Sequence, residues 1–226
     1  MSQNAHEMSA LRIETPPTTL RAMALERLRR AIISGVFKPG QRLVERSLCD
    51  QLGVSRSVIR EVIRHLDAEG LVATEGQGPV VARLDWEDAR QIYAIRASLE
   101  SAAVEACARA ADDDVKARLA GALAKIEARA AAGDDMGVLE ATELFYDIIF
   151  TAGRHPIAGE IVRRLNGRIA QLRLLTLGST NRMQSGPQRI REIFEAIAQN
   201  RPEAAGAACR AHVGEACAIA ERLLAE

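Results

Sequence analysis

The stretch RLVERSLCDQLGVSRSVIREVIRHLDAEGLVATEGQG, from Arg42 to Gly78, decides the fold of this chain. It predicts a helix over about 45–52, a turn at Gly53, a second helix that begins at Ser55, and a β-hairpin from Leu71 to Ala82. A further helix precedes the stretch, because apolar residues recur there at helical spacing. This fixed order of helices, turn and hairpin predicts a winged helix-turn-helix.

The second helix of this stretch has two faces of opposite character. One face is apolar, and the outward face carries Arg56, Arg60 and Arg64. A major groove admits one α-helix, whose N-terminal residues reach base edges while guanidinium groups reach phosphates and guanine acceptors. Ser55 and Ser57 place hydroxyl groups at the helix start, where phosphate oxygens also meet unpaired backbone N–H groups. The pattern therefore favours a recognition helix for duplex DNA.

The alternative is an ordinary solvated helix face, since most rows of charge at i, i+4 are only that. The hairpin favours DNA, because Gly76 and Gly78 at its tip let the backbone approach phosphates closely. Charge agrees with this interpretation. Residues 18–84 hold eleven Lys or Arg against seven Asp or Glu, a net of +4, whereas the whole chain balances 30 against 30. The excess of basic charge is therefore local.

Composition indicates a cytoplasmic protein of two modest domains. With 226 residues, 48% of them hydrophobic, the chain can bury two cores, and no apolar run approaches membrane-spanning length. Residues 1–17 are polar, show no secretory signal and end in Pro16 and Pro17, which indicates a flexible arm. The four cysteines are scattered singly, which favours reduced core thiols. We expect a DNA-binding domain over 18–84 and a second domain over 85–226.

From Trp86 onward the chain is alanine-rich, almost free of strand-forming clusters, and divided by Gly or Pro signals. The predicted helices cover 86–92, 93–111, 112–132, 135–152, 156–178, 187–200 and 202–225. The first two ranges are also compatible with one bent helix. Helices of these lengths pack as an all-α antiparallel bundle, and bundles hold ligands between facing helices.

Two segments resemble a known family. The run AIISGVFKPGQRLVERSLCDQLGVSRSVIREVIRHLDAEGLV, Ala31–Val72, resembles the DNA-binding domain of the GntR family of bacterial transcription regulators. The run IYAIRASLESAAVEACARA, Ile92–Ala110, resembles the opening helix of the FadR-like subfamily with its FCD effector domain. The resemblance covers roughly residues 18–226 and implies a set of operator contacts. These are Arg46, Ser55, Arg56, Ser57, Arg60 and, at the wing tip, Gly78. Gln77 departs from the family pattern, because an arginine is common at this wing position.

Many proteins of this kind hold a divalent metal in the effector domain, through an Asp and a His at i, i+4 and two further His on the last two helices. Here the matching positions are Thr142, Tyr146 and Ile190, and only His212 is retained. One imidazole cannot hold a divalent cation tightly. The carboxylates one position further along the same helix lie about 100° around it and should point elsewhere. We therefore expect a pocket without metal or other cofactor, still lined by the four matching positions.

Without a metal, an anionic effector must be held by fixed donors. Arg96 is the first candidate, and its alternative role is an internal ion pair with Glu100 one turn on. Arg168 and Arg173 are the second candidates. Tyr146 and His212 would face the pocket and donate hydrogen bonds, although a histidine buried in the core for packing is an equally good account of His212.

The sequence thus predicts a homodimeric, ligand-responsive transcription regulator, a repressor that binds an inverted-repeat DNA operator. Its effector is expected to be an organic acid or a related metabolite, and no membrane partner is expected. One alternative is an orphan regulator that has lost its small-molecule effector. The other is a helical enzyme, which the sequence disfavours because it has no phosphate-binding glycine loop, nucleophile elbow or H-E-x-x-H motif.

Overall fold

In the computed structural model, residues 19–76, 78–178 and 182–225 are described. Within these residues the chain forms ten helices and one two-stranded antiparallel sheet. The predicted arm over 1–17 and the departure at Gln77 lie outside the described residues. None of the helices in the described part of the chain is long and apolar enough to cross a lipid bilayer.

The N-terminal part has the predicted order of elements. Its helices are α1 (Leu20–Ile33), α2 (Glu45–Leu52) and α3 (Arg56–Ala68), followed by β1 (Val72–Glu75) and β2 (Gly78–Val81). The two strands pair antiparallel, so the hairpin lies where the sequence placed it. The winged helix-turn-helix prediction is confirmed.

The turn between α2 and α3 depends on one glycine. Gly53 has a φ of +67°, and its N–H donates to the Cys49 carbonyl at 2.9 Å. A residue with a side chain rarely adopts this left-handed conformation. After the turn, the Ser55 hydroxyl accepts from the Val58 N–H and caps α3. These two residues fix where α3 begins and hence which of its residues stand at its exposed start.

One apolar cluster holds these elements together. Its central side chains come from all three helices and from the hairpin, and they include Leu28, Leu48, Ile59, Leu66 and Val81. The inward stripe of α3 is fully buried, since Ile59, Val62 and Leu66 are 0% exposed. Because one face of α3 is fixed in this core, its arginine-bearing face is held outward.

The remaining helices form a bundle around a second cluster of buried side chains. The helices are α4 (Trp86–Ala110), α5 (Asp113–Ala131), α6 (Asp135–Ala152), α7 (Pro156–Arg164), α8 (Asn166–Leu177), α9 (Arg182–Ala198) and α10 (Pro202–Leu224). α4 packs along α10, α5 packs against α6, and α9 packs against α10 and α5. Asp85, Asp112 and Asp134 each accept a backbone N–H and cap the helix that follows. Cys107 and Cys209 are buried as free thiols in this part of the chain.

Three predicted boundaries differ from the structure. The ranges 86–92 and 93–111 form the single helix α4. The range 156–178 is two helices, because the chain makes a tight turn at Leu165, where no Gly or Pro announces a break. The start predicted at 187 is also wrong, because α9 begins at Arg182 and contains Pro187. A proline inside a helix lacks one helical hydrogen bond and costs about 3 kcal/mol, which the packing around the buried Pro187 has to offset.

Candidate functional site

The start of α3 is an exposed, basic surface. Ser55, Arg56 and Ser57 are all exposed, and the two serine hydroxyls lie 2.8 Å apart. Among the described residues, Arg56 makes no ion pair. Its guanidinium is therefore available to an external anion, as a contact with a nucleic acid requires.

Arg60 and Arg46 lie on the same helix-turn-helix and are also exposed. The Arg60 Nε donates to Glu45 Oε2 at 3.0 Å and to Oε1 at 3.2 Å. This exposed ion pair orients the Arg60 side chain and partly neutralises it. A phosphate or base contact by Arg60 has to share or replace the Glu45 carboxylate.

A further basic group, Arg42, lies beside the hairpin, and the sequence analysis does not identify it as a candidate DNA contact. Gly78 has a φ of +130°, and a Cβ built there would lie 3.7 Å from Nη2 of Arg42. Arg42 is exposed and makes a β-bridge with Val80 on β2. The residue lies before α2 in the sequence, so only the folded hairpin brings it beside the wing.

A cavity lies inside the helical bundle, between α4, α5, α6, α8, α9 and α10. Its volume is about 40 Å³, or about 450 Å³ when all the space between its atoms, including space open to solvent, is counted. The cavity is lined mainly by apolar side chains and by three arginines, Arg96, Arg173 and Arg182. Such a site favours an anionic ligand with an apolar body.

Arg96 makes the ion pair with Glu100 and also lines the cavity. It is 1% exposed, and its Nε and Nη2 donate to the fully buried Glu100 at 2.8 and 3.3 Å. Burial alone would lower the pKa of Arg96, but Glu100 outweighs this effect and the net pKa is raised. Nη1 is buried and has no hydrogen-bond partner within the described residues. Arg96 is thus ion-paired and still lines the cavity with one donor to spare.

Arg182 is the residue of the cavity that sequence reasoning missed. It is 4% exposed, its Nη1 lies 2.9 Å from Glu215 Oε1, and its Nη2 donates to the His212 carbonyl at 3.1 Å. Burial lowers the pKa of Arg182, and Glu215 opposes that shift. The sequence pattern places Arg182 between the helices predicted over 156–178 and 187–200, so it gives no reason to expect this side chain in the cavity.

His212 lines the cavity as a neutral imidazole. Burial lowers the pKa of His212 well below its usual range, and Arg182 and Arg96 lower it further. The Arg182 Nη2 lies 3.3 Å from Nδ1 of His212. A guanidinium can only donate, so Nδ1 is the acceptor and the ring proton belongs on Nε2. That Nε2–H has no hydrogen-bond partner in the described part of the chain.

Arg173 and Tyr146 stand next to each other. The Arg173 guanidinium carbon lies 5.6 Å from the centre of the Tyr146 ring. Burial lowers the pKa of Arg173, and the positive charge of Arg96 acts in the same direction. Tyr146, which was expected to face the pocket, is not in the cavity wall; it lines a separate crevice together with Arg173. Its hydroxyl lies 3.9 Å from Cys209 Sγ, and burial raises its pKa.

The positions that match the family's metal ligands do not fit a metal. Thr142, Ile190 and His212 line the cavity together, but only the histidine is a usual ligand, and Arg182 occupies its Nδ1. The Thr142 hydroxyl donates to the Val138 carbonyl at 2.7 Å. Across the described residues, no cluster of three or more His, Cys, Asp or Glu side chains could hold a metal ion.

Arg168 does not line the cavity, so its expected role there is wrong. Its Nη1 donates to Asp88 Oδ2 at 3.0 Å, and its Nε donates to the Gly70 carbonyl at 3.3 Å. Residues five apart differ by about 140° around a helix, so Arg168 and Arg173 cannot share one face of α8. Arg168 instead joins the bundle to the turn between α3 and β1.

This junction is closely packed. A Cβ on Gly70, which has a φ of +71°, would lie 2.3 Å from the Arg168 Nε. A Cβ on Gly167 would lie 2.5 Å from Leu71 Cγ. A further ion pair joins Arg30 of α1 to Glu140 of α6. The first turn of α8 therefore contacts the winged helix-turn-helix, while its later residues, including Arg173, line the cavity.

Two family models match the chain. The model of the bacterial regulatory proteins of the gntR family matches residues 20–81, and the FCD domain model matches residues 91–215. The uncharacterized HTH-type transcriptional regulator YdhC of Bacillus subtilis (strain 168) is 30% identical over 214 residues, which cover 93% of this chain and 95% of that protein. The gluconate operon transcriptional repressor of Bacillus licheniformis is 36% identical over 88 residues, which cover 39% and 36%.

Solved structures agree with these matches. A GntR transcriptional regulator from Rhodococcus sp. RHA1 has a TM-score of 0.76 and 30% sequence identity, covering 88% of this chain and 95% of that one. The matched families and relatives are transcription regulators and not enzymes.

The Glu215 carboxylate should make stability depend on pH. Burial opposes its ionisation, but hydrogen bonds from Ser185 and Arg189 and the charge of Arg182 outweigh burial and lower the pKa of Glu215 to about 2. A carboxyl pKa that folding lowers contributes stability above its ordinary pKa, and this contribution is lost as pH falls towards the folded value. Between pH 5 and 3, the unfolding free energy of the wild type should fall by roughly 1–3 kcal/mol more than that of Glu215→Gln.

Urea denaturation at stepped pH values measures this difference. Glu160→Gln is the control, because it removes an exposed ion pair with Arg164 and should follow the wild-type pH profile. If Glu215→Gln and the wild type lose stability in parallel over this range, the assignment of a strongly paired Glu215 is wrong.

Proposed function

Since this chain belongs to the GntR family of bacterial regulatory proteins and is a DNA-binding transcription regulator with an FCD domain, we propose that it is a homodimeric repressor controlled by a small anionic metabolite. In this proposal residues 18–84 bind an inverted-repeat operator, and residues 85–226 bind the effector and dimerise. Twofold symmetry follows the family and would present one recognition helix to each half-site. A repressor role is supported by the resemblance, over 88 residues, to the gluconate operon transcriptional repressor of Bacillus licheniformis.

The observation that carries the DNA contact is the exposed start of α3. Arg56 stands there without an ion pair among the described residues, beside the hydroxyls of Ser55 and Ser57. We assign Arg56 and Arg60 to the major groove, and Arg46, Ser55 and Ser57 to supporting phosphate contacts. Gly78 would let the wing approach the backbone, and Arg42 beside it would add a phosphate contact.

The bundle cavity is the proposed effector site. Arg96, Arg173 and His212 line it with nitrogen donors, and Thr142 and Ile190 complete the wall at positions where relatives hold a metal. These donors suit an organic anion and require no metal to hold it.

We propose that α8 transmits the effector signal. Arg173 lines the cavity. Arg168, five residues earlier on α8, donates to the carbonyl of Gly70 in the turn between α3 and β1. A ligand that draws Arg173 inward would shift α8 against the turn at Gly70 and so alter the placement of α3. This shift changes operator affinity only if the ligand binds the two arrangements unequally.

Arg56→Ala and Arg60→Ala should each lower specific operator affinity by about 1–3 kcal/mol, because each removes a guanidinium from the groove. The measurement is a gel-shift titration with a DNA fragment selected by this protein from a random-sequence pool. Arg118→Ala, which removes an exposed arginine paired with Asp114 on α5, is the control and should bind like the wild type. Unchanged binding by Arg56→Ala would contradict the groove assignment.

Gly70→Ala should uncouple the winged helix-turn-helix from the bundle, because the new methyl group displaces Arg168. By linkage, operator DNA should alter amide hydrogen exchange along α8 in the wild type, and this effect should be lost in Gly70→Ala. Gly35→Ala is a matched control: Gly35 has a φ of +77°, with nothing within 4 Å of its added Cβ, so it introduces similar backbone strain without the clash. An equal DNA effect on α8 in all three proteins would contradict this route of coupling.

A further inference from the structure

The three arginines of the cavity differ in how their charge is compensated. Arg96 is paired with Glu100, and Arg182 with Glu215. Arg173 has no carboxylate within ion-pair distance among the described residues. Its guanidinium carbon lies 5.6 Å from the centre of the Tyr146 ring, and an aromatic face compensates less of the charge than a carboxylate does. The cavity therefore has one cation whose counter-charge the described residues do not supply.

Two carboxylates outside the cavity wall influence the pKa of Arg173. Glu100, which is already paired with Arg96, has the larger effect, and Glu143 has a smaller one. The Glu143 side chain is half-buried and lies with Arg173 in a separate crevice on the other side of α6. Burial raises the pKa of Glu143, and Arg173 opposes that shift without reversing it. Glu143 is thus a weak partner, and the cavity side of Arg173 is left uncompensated.

Two unused donors accompany this cation. Nη1 of Arg96 is fully buried in a residue that is 1% exposed, and it has no partner in the described chain. A buried donor on a charged group is costly to leave unpaired, which is the usual mark of a place for a missing acceptor. The Nε2–H of His212 also lines this space. One carboxylate group, with two oxygens and one negative charge, supplies what these groups lack.

The rest of the described wall offers few further polar groups. No Asp or Glu among the described residues lines the cavity, and Ile126, Val138, Leu139 and Ile190 form much of its surface. Thr176 adds a hydroxyl, which donates to the Arg173 carbonyl. The Thr142 hydroxyl already donates a hydrogen bond to the Val138 carbonyl. Arg182 is neutralised by Glu215, so a second carboxylate would compete with a carboxylate of the protein.

We propose that the cavity selects a monocarboxylic acid with a short hydrocarbon body, and that its carboxylate lies between Arg173 and Nη1 of Arg96. The hydrocarbon then contacts the apolar wall formed by α5, α6 and α9. This inference rests on the proposed function, because it takes the cavity as the effector site. It excludes dicarboxylates and polyhydroxy acids, whose additional polar groups would be buried without partners.

The test compares probes that differ by one group. Isothermal titration of the full chain with hexanoate, its dicarboxylate match hexanedioate, gluconate and the neutral hexanamide measures each affinity directly. Hexanoate should bind at least about tenfold more tightly than each of the other three, a difference of about 1.4 kcal/mol. Tighter binding of hexanedioate or gluconate would overturn the inference and leave an anion-responsive regulator in place. If none of the four binds, the inference and the proposed effector control both fail, while operator binding is unaffected.

Two substitutions locate the carboxylate. Arg173→Gln should weaken hexanoate binding by about tenfold or more, whereas Arg164→Gln, an exposed arginine on α7, should not change it. Glu215→Gln should release Arg182 and improve hexanedioate binding relative to hexanoate. Because the expected result is an increase in relative affinity, a variant that fails to fold could not produce it. Undiminished hexanoate binding by a folded Arg173→Gln protein would overturn the proposed position.

Discussion

A guanidinium group that is removed from water has to find negative charge, and the helical bundle is organised around three such groups. Glu100 forms an ion pair with Arg96 one turn away on α4, and Glu215 of α10 forms an ion pair with Arg182 of α9. Arg173 is left with an aromatic ring. The folded bundle thus has a positive charge, that of Arg173, at its cavity, and a bound anion could neutralise this charge. Where the family resemblance implies a metal site, the described residues of this cavity include three arginines.

The same helix connects that charge to the DNA-binding part. α8 begins against the turn at Gly70, where a glycine without Cβ leaves just enough space for the Arg168 side chain. Arg173 faces the cavity on a different side of the helix. A rigid helix that touches both parts can transmit a displacement without any large change in the fold. The contact between Arg168 and Gly70 is therefore the point at which a displacement of α8 would reach the winged helix-turn-helix.

Sequence patterns predicted the parts of the structure that depend on local rules. Gly53, the Ser55 cap and the apolar stripe of α3 specify the winged helix-turn-helix, because turn, cap and periodicity agree over one short stretch. Arg96 was placed in the cavity by family resemblance, and its pairing with Glu100 by helical spacing. Sequence patterns do not identify Arg182, because Pro187 predicts a helix start at that residue, whereas α9 begins at Arg182 and continues through the proline.

Two other features were also beyond the reach of sequence patterns. The sequence predicts one continuous helix over 156–178, but α7 ends at a turn at Leu165 that no Gly or Pro marks. The direction of the Arg168 side chain therefore could not be predicted from the helical periodicity of that range. Arg42 meets the wing only after the hairpin has folded back on it. In each case a long-range contact decided the position of the side chain, whereas the pattern reports only neighbours along the chain.

The central claim is that Arg173 carries a charge that the folded protein does not neutralise. The most direct measurement is the unfolding free energy of Arg173→Met and of the wild type in urea, both dialysed into a buffer without organic anions. The account predicts that the variant is more stable, by about 1 kcal/mol, because a half-buried cation without an ion-pair partner among the described residues has been replaced by an apolar side chain. Equal or lower stability of Arg173→Met would contradict the account, since it would mean that the protein already supplies the missing counter-charge.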